Sequence, residues 1–460
     1  MTATQPADAP AKPAHRVSTV FDIGVDERVS VSTAAGLGVQ NILGMAGLLI
    51  FPALLGSSFH LSTHDTAYLY GVTFMTSGLV VILQCVFLLR LPIIQGPYAG
   101  TLAALLATGH RAGLGAAFGS MVVAGLIWCV LALPLKRFSV IGRIGSFVRD
   151  PIISGVIVLI LATQLTSTAL PNWLGTPKSP GFPLVNLFAG LAAAALVVAL
   201  TVLPAGRGRT LLRRGAVLIA IVVGTVVYAI FAPTTFGDLG QHLGIVVPKF
   251  FPFGFAVRGD LVVIFFITML PAVAESIATY DIVARWGGQD LSAQRTAQGV
   301  FGEVLGSTVG NLFGGLSTLA YPDNIGLLRV TRVGSRYVTL ASGIILLVLG
   351  GLEPFDGLLQ AVPLPVLAAA GTILFGVLFA SAIDVLSGVT WNQRSLLVAG
   401  VPFITAIGGL FIPATTLAAM PMAVQLILGQ PLILGTLLLI VMKVALRVRP
   451  APQAEVTEDS

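Results

Sequence analysis

Long apolar runs broken by short polar stretches fill the chain from about residue 31 to residue 446. Runs such as Val217–Phe231 and Pro431–Met442 carry no charge at all. Repeated stretches of this kind are the pattern of membrane-spanning helices, whereas a helix on a soluble core alternates apolar and polar faces. The pattern predicts spans near 31–56, 66–89, 92–108, 113–133, 150–170, 184–203, 213–231, 260–284, 296–319, 321–334, 337–351, 361–383, 395–411 and 426–446. Hydropathy alone leaves the number between twelve and fourteen, because two of these segments are short and interrupted. The expected fold is an all-α polytopic membrane protein.

The two interrupted segments are Leu91-Pro92-Ile93-Ile94-Gln95-Gly96-Pro97-Tyr98-Ala99-Gly100 and Leu319-Ala320-Tyr321-Pro322-Asp323-Asn324-Ile325-Gly326. Each has Pro and Gly near its middle and is too short to cross about 30 Å as a regular helix. In a fourteen-span count they are the third and the tenth, hence the third of each seven-span half. Matching interruptions in two halves point to an inverted-repeat transporter with its site at the midplane. Broken backbone at that depth leaves N–H and C=O groups that hydrocarbon cannot satisfy, so such segments must face each other, a cavity or a ligand. Half-helices starting near Ala99 and Ile325 would aim their positive N-termini at one central point. Two ordinary proline kinks would give the same local pattern.

Composition agrees with this reading. Hydrophobic residues make up 56% of the 460 and charged residues 10%, against about 25% charged in soluble domains. The net charge of +6 does not indicate nucleic acid, because the basic residues sit singly or in small clusters at span ends, beside lipid headgroups. Placing the N-terminus inside and counting fourteen spans assigns 21 of the 25 Lys and Arg residues to the cytoplasmic side. Only Arg111, Lys178, Lys249 and Arg258 fall outside. Removing either doubtful span would invert the later loops and spoil this asymmetry. The layout is therefore a cytoplasmic tail (1–30), segments 1–7 (31–231), an extracytoplasmic connection (232–259), segments 8–14 (260–446) and a cytoplasmic tail (447–460), in an inner membrane. Neither tail reads as a signal peptide or a soluble domain. Cys85 and Cys129 lie in apolar runs with no disulfide or metal spacing.

Charges inside spans mark function by default. Glu275 lies about fifteen residues into the eighth span, Val262–Asp281. It can accept a substrate N–H, carry a proton, or bond a neighbouring helix. Asp323, in the broken tenth segment, can cap the helix that follows, contact a ligand, or do both. Thr279 is one turn beyond Glu275 on the same face. Glu303 reads as a helix–helix hydrogen-bond partner, Asp281 and Asp384 as interfacial, and Arg329 as snorkelling to the cytoplasm or adding positive charge near the site. The histidines fall in loops or the N-terminal tail, so a proton-driven carrier would have to use a carboxylate.

Four patches resemble the nucleobase–ascorbate transporters (nucleobase:cation symporter 2, the uracil/xanthine permease type). Gln40-Asn41-Ile42-Leu43-Gly44-Met45 resembles the first-span Gln-His-x-Leu-x-Met, and Ala274-Glu275-Ser276-Ile277-Ala278-Thr279-Tyr280 the eighth-span Glu-Ser-Ile-Gly-Asp-Tyr. Asn324–Arg336 resembles the tenth-span Asn-x-Gly-x-x-x-x-Thr-Arg, and Val362-Pro363-Leu364-Pro365-Val366 a twelfth-span pattern. The resemblance implies two inverted seven-segment repeats forming core and gate domains, short antiparallel strands in segments 3 and 10, and a homodimer. It also implies that Glu275 and Asp323 hydrogen-bond the base, with Tyr321, Asn324, Thr279, Tyr98, Ala99 and Gln40 around it and Glu275 and Asp323 as proton-coupling groups. The acid at 323 is similar to the uracil-type pattern, the Glu-Ser-Ile run to the xanthine and urate group. Departures are Asn41 for the usual His, Thr279 for His or Asp, and Pro97-Tyr98-Ala99 for a small-Ser-Phe pattern.

These observations lead to a proton-coupled nucleobase symporter with elevator-like alternating access, partnered by a small-molecule nucleobase, a proton or another cation, and the bilayer. The alternative is an anion exchanger of sulfate-transporter architecture, with Arg329 beside two half-helix N-termini. No cofactor or metal is expected, and no nucleophile–base spacing supports an enzyme.

Overall fold

The computed structural model describes residues 20–135, 140–148, 150–175, 177, 179, 181–204, 209–232, 245–321, 323–352 and 362–446. It is mostly helical. Its main elements are α1 (Val31–Leu43), α2 (Ala46–Ser58), α3 (Thr63–Val86), β1 (Gln95–Pro97), α4 (Ala99–Ala112), α5 (Leu114–Ala132), α6 (Val140–Val148), α7 (Pro151–Gln164), α8 (Leu184–Thr201) and α9 (Ala216–Phe231). There follow α10 (Gly259–Trp286), α11 (Ala293–Leu312), β2 (Thr318–Ala320), α12 (Asp323–Thr331), α13 (Arg336–Gly350), α14 (Leu364–Ser387), α15 (Gln393–Gly408) and α16 (Pro431–Ala445). Among the described residues six helical stretches are long and apolar enough to cross a membrane: His64–Val86, Leu114–Ala132, Leu184–Thr201, Gly259–Trp286, Leu364–Ser387 and Gln393–Phe411. Large apolar side chains such as Phe188, Ile230, Phe231, Ile404 and Phe411 are exposed. Such a surface suits lipid and not water.

The first expected span is divided at Gly44 and Met45 into α1 and α2. The third and tenth are each a short strand followed by a helix. The ninth ends at Leu312 as a helix and continues into β2. Residues 20–29, read above as part of a polar tail, run as a packed strap with Phe21, Ile23 and Val25 buried. Ile23 forms a parallel bridge with Val333, and the Asp22 carboxylate accepts from Arg332 Nε at 2.8 Å and Arg213 Nη2 at 2.9 Å.

Helices cannot associate in lipid by hydrophobic burial alone, so close packing through small residues takes over. The α3–α13 seam shows this. A Cβ added to Gly78 would meet Gly343 O at 2.6 Å, and one added to Gly71 would meet Gly350 O at 2.7 Å. The two backbones therefore touch at two levels. Helix α1 joins this seam, α11 packs on α3 and α5, and α10 on α5; a second group is built from α7, α8, α9 and α14, with α15 against α16. Lys443, one of the cations assigned above to the cytoplasmic side, lies within α16 and is buried. Its Nζ lies 3.0 Å from Asp150 Oδ2 at the start of α7 and over the Phe147 ring.

Candidate functional site

The two interrupted segments find each other. Strands β1 and β2 pair antiparallel with Gln95 opposite Ala320, Gly96 opposite Leu319 and Pro97 opposite Thr318. Tyr98 N donates to Ser317 O and Tyr321 N to Ile94 O, both at 2.9 Å, extending the pairing by one residue at each end. The physical reason is the one that makes such breaks rare: an unsatisfied backbone group in hydrocarbon costs several kcal/mol, and here each broken segment satisfies the other. The aromatic residues at the crossing lie against glycines. A Cβ on Gly96 would meet Tyr321 Cδ2 at 2.6 Å, and one on Gly100 would meet Tyr98 Cε1 at 2.5 Å. Both positions admit only hydrogen while the rings stay where they are.

From this crossing two helices start. Helix α4 begins at Ala99, which is half-buried, behind Tyr98, whose side chain makes no cap bond. Helix α12 begins at Asp323, two residues earlier than Ile325. The Asp323 side chain, with Pro322, lies outside the described residues, and its expected pairing with Glu275 lies outside them too. Asn324 is buried: Nδ2 donates to Pro92 O at 3.3 Å, while Oδ1 has no hydrogen-bond partner among the described residues.

Helix α10 passes beside the crossing and packs on β2 and α4. It carries Glu275 (2% exposed), Ser276 and Thr279 (1%). Glu275 is within electrostatic reach of the buried Tyr98 hydroxyl. Ser276 Oγ accepts from Ala320 N at 3.4 Å, which fixes α10 to the strand. The Thr279 hydroxyl is buried with no partner among the described residues. Buried polar atoms are nearly always hydrogen-bonded, so the Thr279 hydroxyl, Asn324 Oδ1 and the fully buried Gln95 amide on β1, each without a hydrogen-bond partner among the described residues, are suited to a polar guest.

Glu303 does more than join two helices. Its carboxylate accepts from the Ser276 and Tyr280 hydroxyls. One buried acid thereby joins α10 to α11 and, through Ser276, reaches Ala320 of β2. The structure brings Glu275, Thr279, Tyr98, Ala99, Tyr321 and Asn324 to the elements that meet at the crossing. Gln40 directs its amide elsewhere, with Nε2 donating to Arg214 O at 3.0 Å and Oε1 accepting from Leu218 N at 3.1 Å. Asn41 Nδ2 donates to Ser342 Oγ at 3.2 Å, tying α1 to α13. Arg329 lies over the Trp286 ring and 3.7 Å from Asp384. Asp281, expected at an interface, is 6% exposed and pairs with Arg285 at 2.8 Å. Among the described residues no group of His, Cys, Asp or Glu could hold a metal ion.

The chain is thus a multi-pass membrane protein in which two interrupted segments pair beside a helix that carries a buried carboxylate. The Xan_ur_permease model of the Permease family matches residues 33–415, and the chain belongs to that family. It is 26% identical to the uric acid permease PucJ of Bacillus subtilis over 87% of this chain and 90% of that protein. It is 26% identical to the uric acid transporter UacT of Escherichia coli over 91% of this chain and 87% of the relative. To the xanthine permease XanP of Escherichia coli it is 27% identical, covering 80% and 82%. Among solved structures, the murine Solute Carrier 26 family member A9 anion transporter in the inward-facing state shares the fold. Its TM-score is 0.54 at 13% identity, covering 91% of this chain and 69% of that one.

Proposed function

We propose that the chain is a secondary active transporter that carries a nucleobase of the uracil, xanthine or urate type by proton-coupled symport. The observation that carries this reading is the antiparallel pairing of the two interrupted segments beside Glu275. The Glu275 carboxylate is a buried acceptor for a base N–H, and the orphaned Thr279 hydroxyl and Asn324 Oδ1 supply further polar contacts. Tyr98, Tyr321 and Ala99 shape the pocket walls, the α4 and α12 N-termini face polarised carbonyls, and Asp323 shares base binding and proton coupling with Glu275. The printed names of the relatives, uric acid and xanthine permeases, favour a purine. Gln40 in this reading joins α1 to α9 and reaches the base only if that contact opens.

In the proposed architecture α1–α2, α3, β1–α4, α5, α7, α8 and α9 are segments 1–7, and α10, α11, β2–α12, α13, α14, α15 and α16 are segments 8–14, related as inverted repeats. Segments 1–4 and 8–11 form a core that carries the site, and the others a gate. The packing of α1, α3, α5, α10, α11 and α13 among themselves and of α7, α8, α9 and α14 among themselves supports this division, with α12 packing across it on α14. Elevator-like motion of core against gate would expose the crossing to either side, with both termini cytoplasmic in the inner membrane and a homodimer formed by two copies. The anion-exchange alternative loses its motive, because Arg329 is engaged by Trp286 and Asp384.

Uptake of labelled uracil, xanthine and urate into cells expressing the protein tests the reading, with Glu275→Gln as control. Saturable uptake abolished in Glu275→Gln supports it. No uptake of any base, or unchanged uptake in the variant, refutes it.

A further inference from the structure

Strand β2 has two edges, and only one of them meets β1. In an antiparallel pair the backbone groups of alternate residues point to opposite edges. Ser317 and Tyr321 bond across to β1. Thr318 falls between Ser317 and Leu319, opposite Pro97, at a position whose backbone groups turn away from β1. Among the described residues no third strand lies on that side. There is α11, and Ser307 stands on it with 1% of its surface exposed. Ser307 Oγ accepts from Thr318 N at 2.9 Å and donates to Thr318 O at 2.7 Å. One hydroxyl thus satisfies both groups that a neighbouring strand would otherwise meet. One turn towards the helix start, Glu303 holds Ser276, which receives Ala320 N. One turn the other way, Asn311 Oδ1 accepts from Ser317 Oγ at 3.1 Å. Glu303, Ser307 and Asn311 recur every four residues and so line one face of α11, the face that holds the strand.

We propose that Ser307 is a positioning residue for the binding site: its hydroxyl replaces a third strand, fixes β2, and thereby sets where Tyr321 and the start of α12 stand relative to Glu275. Ser307 touches no substrate; it acts through Thr318 and the two residues that lead from β2 into α12. The assignment of that site to a nucleobase rests on the function proposed above, but the fixing of the strand does not. Removing the hydroxyl takes away the hydrogen-bond partner of both the buried Thr318 N–H and its C=O, which is costly at such depth.

The test is hydrogen exchange of the peptide covering residues 317–321, in nanodiscs, combined with uptake kinetics for wild type, Ser307→Ala and Ser307→Thr. Ser307→Ala is expected to speed exchange of this peptide about tenfold or more and to raise the KM for the transported base several-fold. Vmax per transporter should change little, and Ser307→Thr, which keeps the hydroxyl, should restore both. Should Ser307→Ala not accumulate, Ser307→Cys keeps the volume, weakens the bonds and carries the same comparison. Exchange identical to wild type overturns the proposal. Faster exchange with an unchanged KM also overturns it, since Ser307 would then support the fold without positioning the site. If wild type takes up no base, the transport reading fails, while the exchange comparison, which needs no substrate, still decides whether Ser307 fixes the strand.

Discussion

Replacing Gly96 by alanine places a methyl carbon 2.6 Å from Cδ2 and 2.8 Å from Cε2 of the Tyr321 ring. Neither side can easily retreat. Gly96 is held in the ladder opposite Leu319, and Tyr321 is 7% exposed with its N–H bonded to Ile94 O. Overpacking of this kind costs about 1–3 kcal/mol, which at about 1.4 kcal/mol per factor of ten corresponds to roughly 5- to 150-fold in affinity if the displaced ring belongs to the site. The assay is the KM for base uptake, with protein in the membrane quantified in parallel. Gly96→Ala is expected to raise KM within that range. The decisive control is Tyr321→Ala: once the ring is gone, adding Gly96→Ala should change KM by less than about twofold, because contacting residues are not additive. Wild-type KM in Gly96→Ala, or full additivity in the double variant, would refute the placement of the ring over Gly96.

Three further outcomes follow from the same geometry. Glu303→Ala strands the Ser276 and Tyr280 hydroxyls at about 1–3 kcal/mol for each buried orphan, and should lower the thermal midpoint well below that of Glu303→Gln, which keeps one acceptor oxygen. Lys443→Met leaves Asp150 buried without its cation and should cost about 3–5 kcal/mol; adding Asp150→Asn should recover most of the loss in thermal unfolding. Gly78→Ala drives a methyl against Gly343 O and Leu347 N at 2.6 and 2.7 Å, backbone atoms that can yield only by separating α3 from α13. It should reduce thermostability, whereas Gly376→Ala, with nothing within 4 Å, should not.

What could be read in the sequence was whatever is written in local chemistry. Pro92, Gly96 and Pro97, and Pro322 and Gly326, advertise interrupted helices; β1 falls among the first set, while β2 ends two residues before Pro322. Glu275 is legible because a carboxylate deep in an apolar run has few explanations. What stayed hidden depends on partners distant in sequence. Ser276 and Ser307 look like ordinary small residues on transmembrane helices until the outer edge of β2 is seen to need donors and acceptors. The four-residue spacing of Glu303, Ser307 and Asn311 was the available signal, and it is visible only when polar residues are placed on one helix face. Lys443 sits close enough to its helix end to be counted with the cytoplasmic cations, yet its partner Asp150 lies about 290 residues away in the chain. Gln40 carries a family-like pattern while its amide serves the backbone of the helix start at Leu218.

The most direct test of the central claim, that the strand crossing beside Glu275 is where the transported molecule binds, is a structure determined with saturating xanthine. The base is expected within about 3 Å of a Glu275 carboxylate oxygen, between Tyr98 and the first turn of α12. A base bound at any other place, with Glu275 turned away from it, would contradict the account.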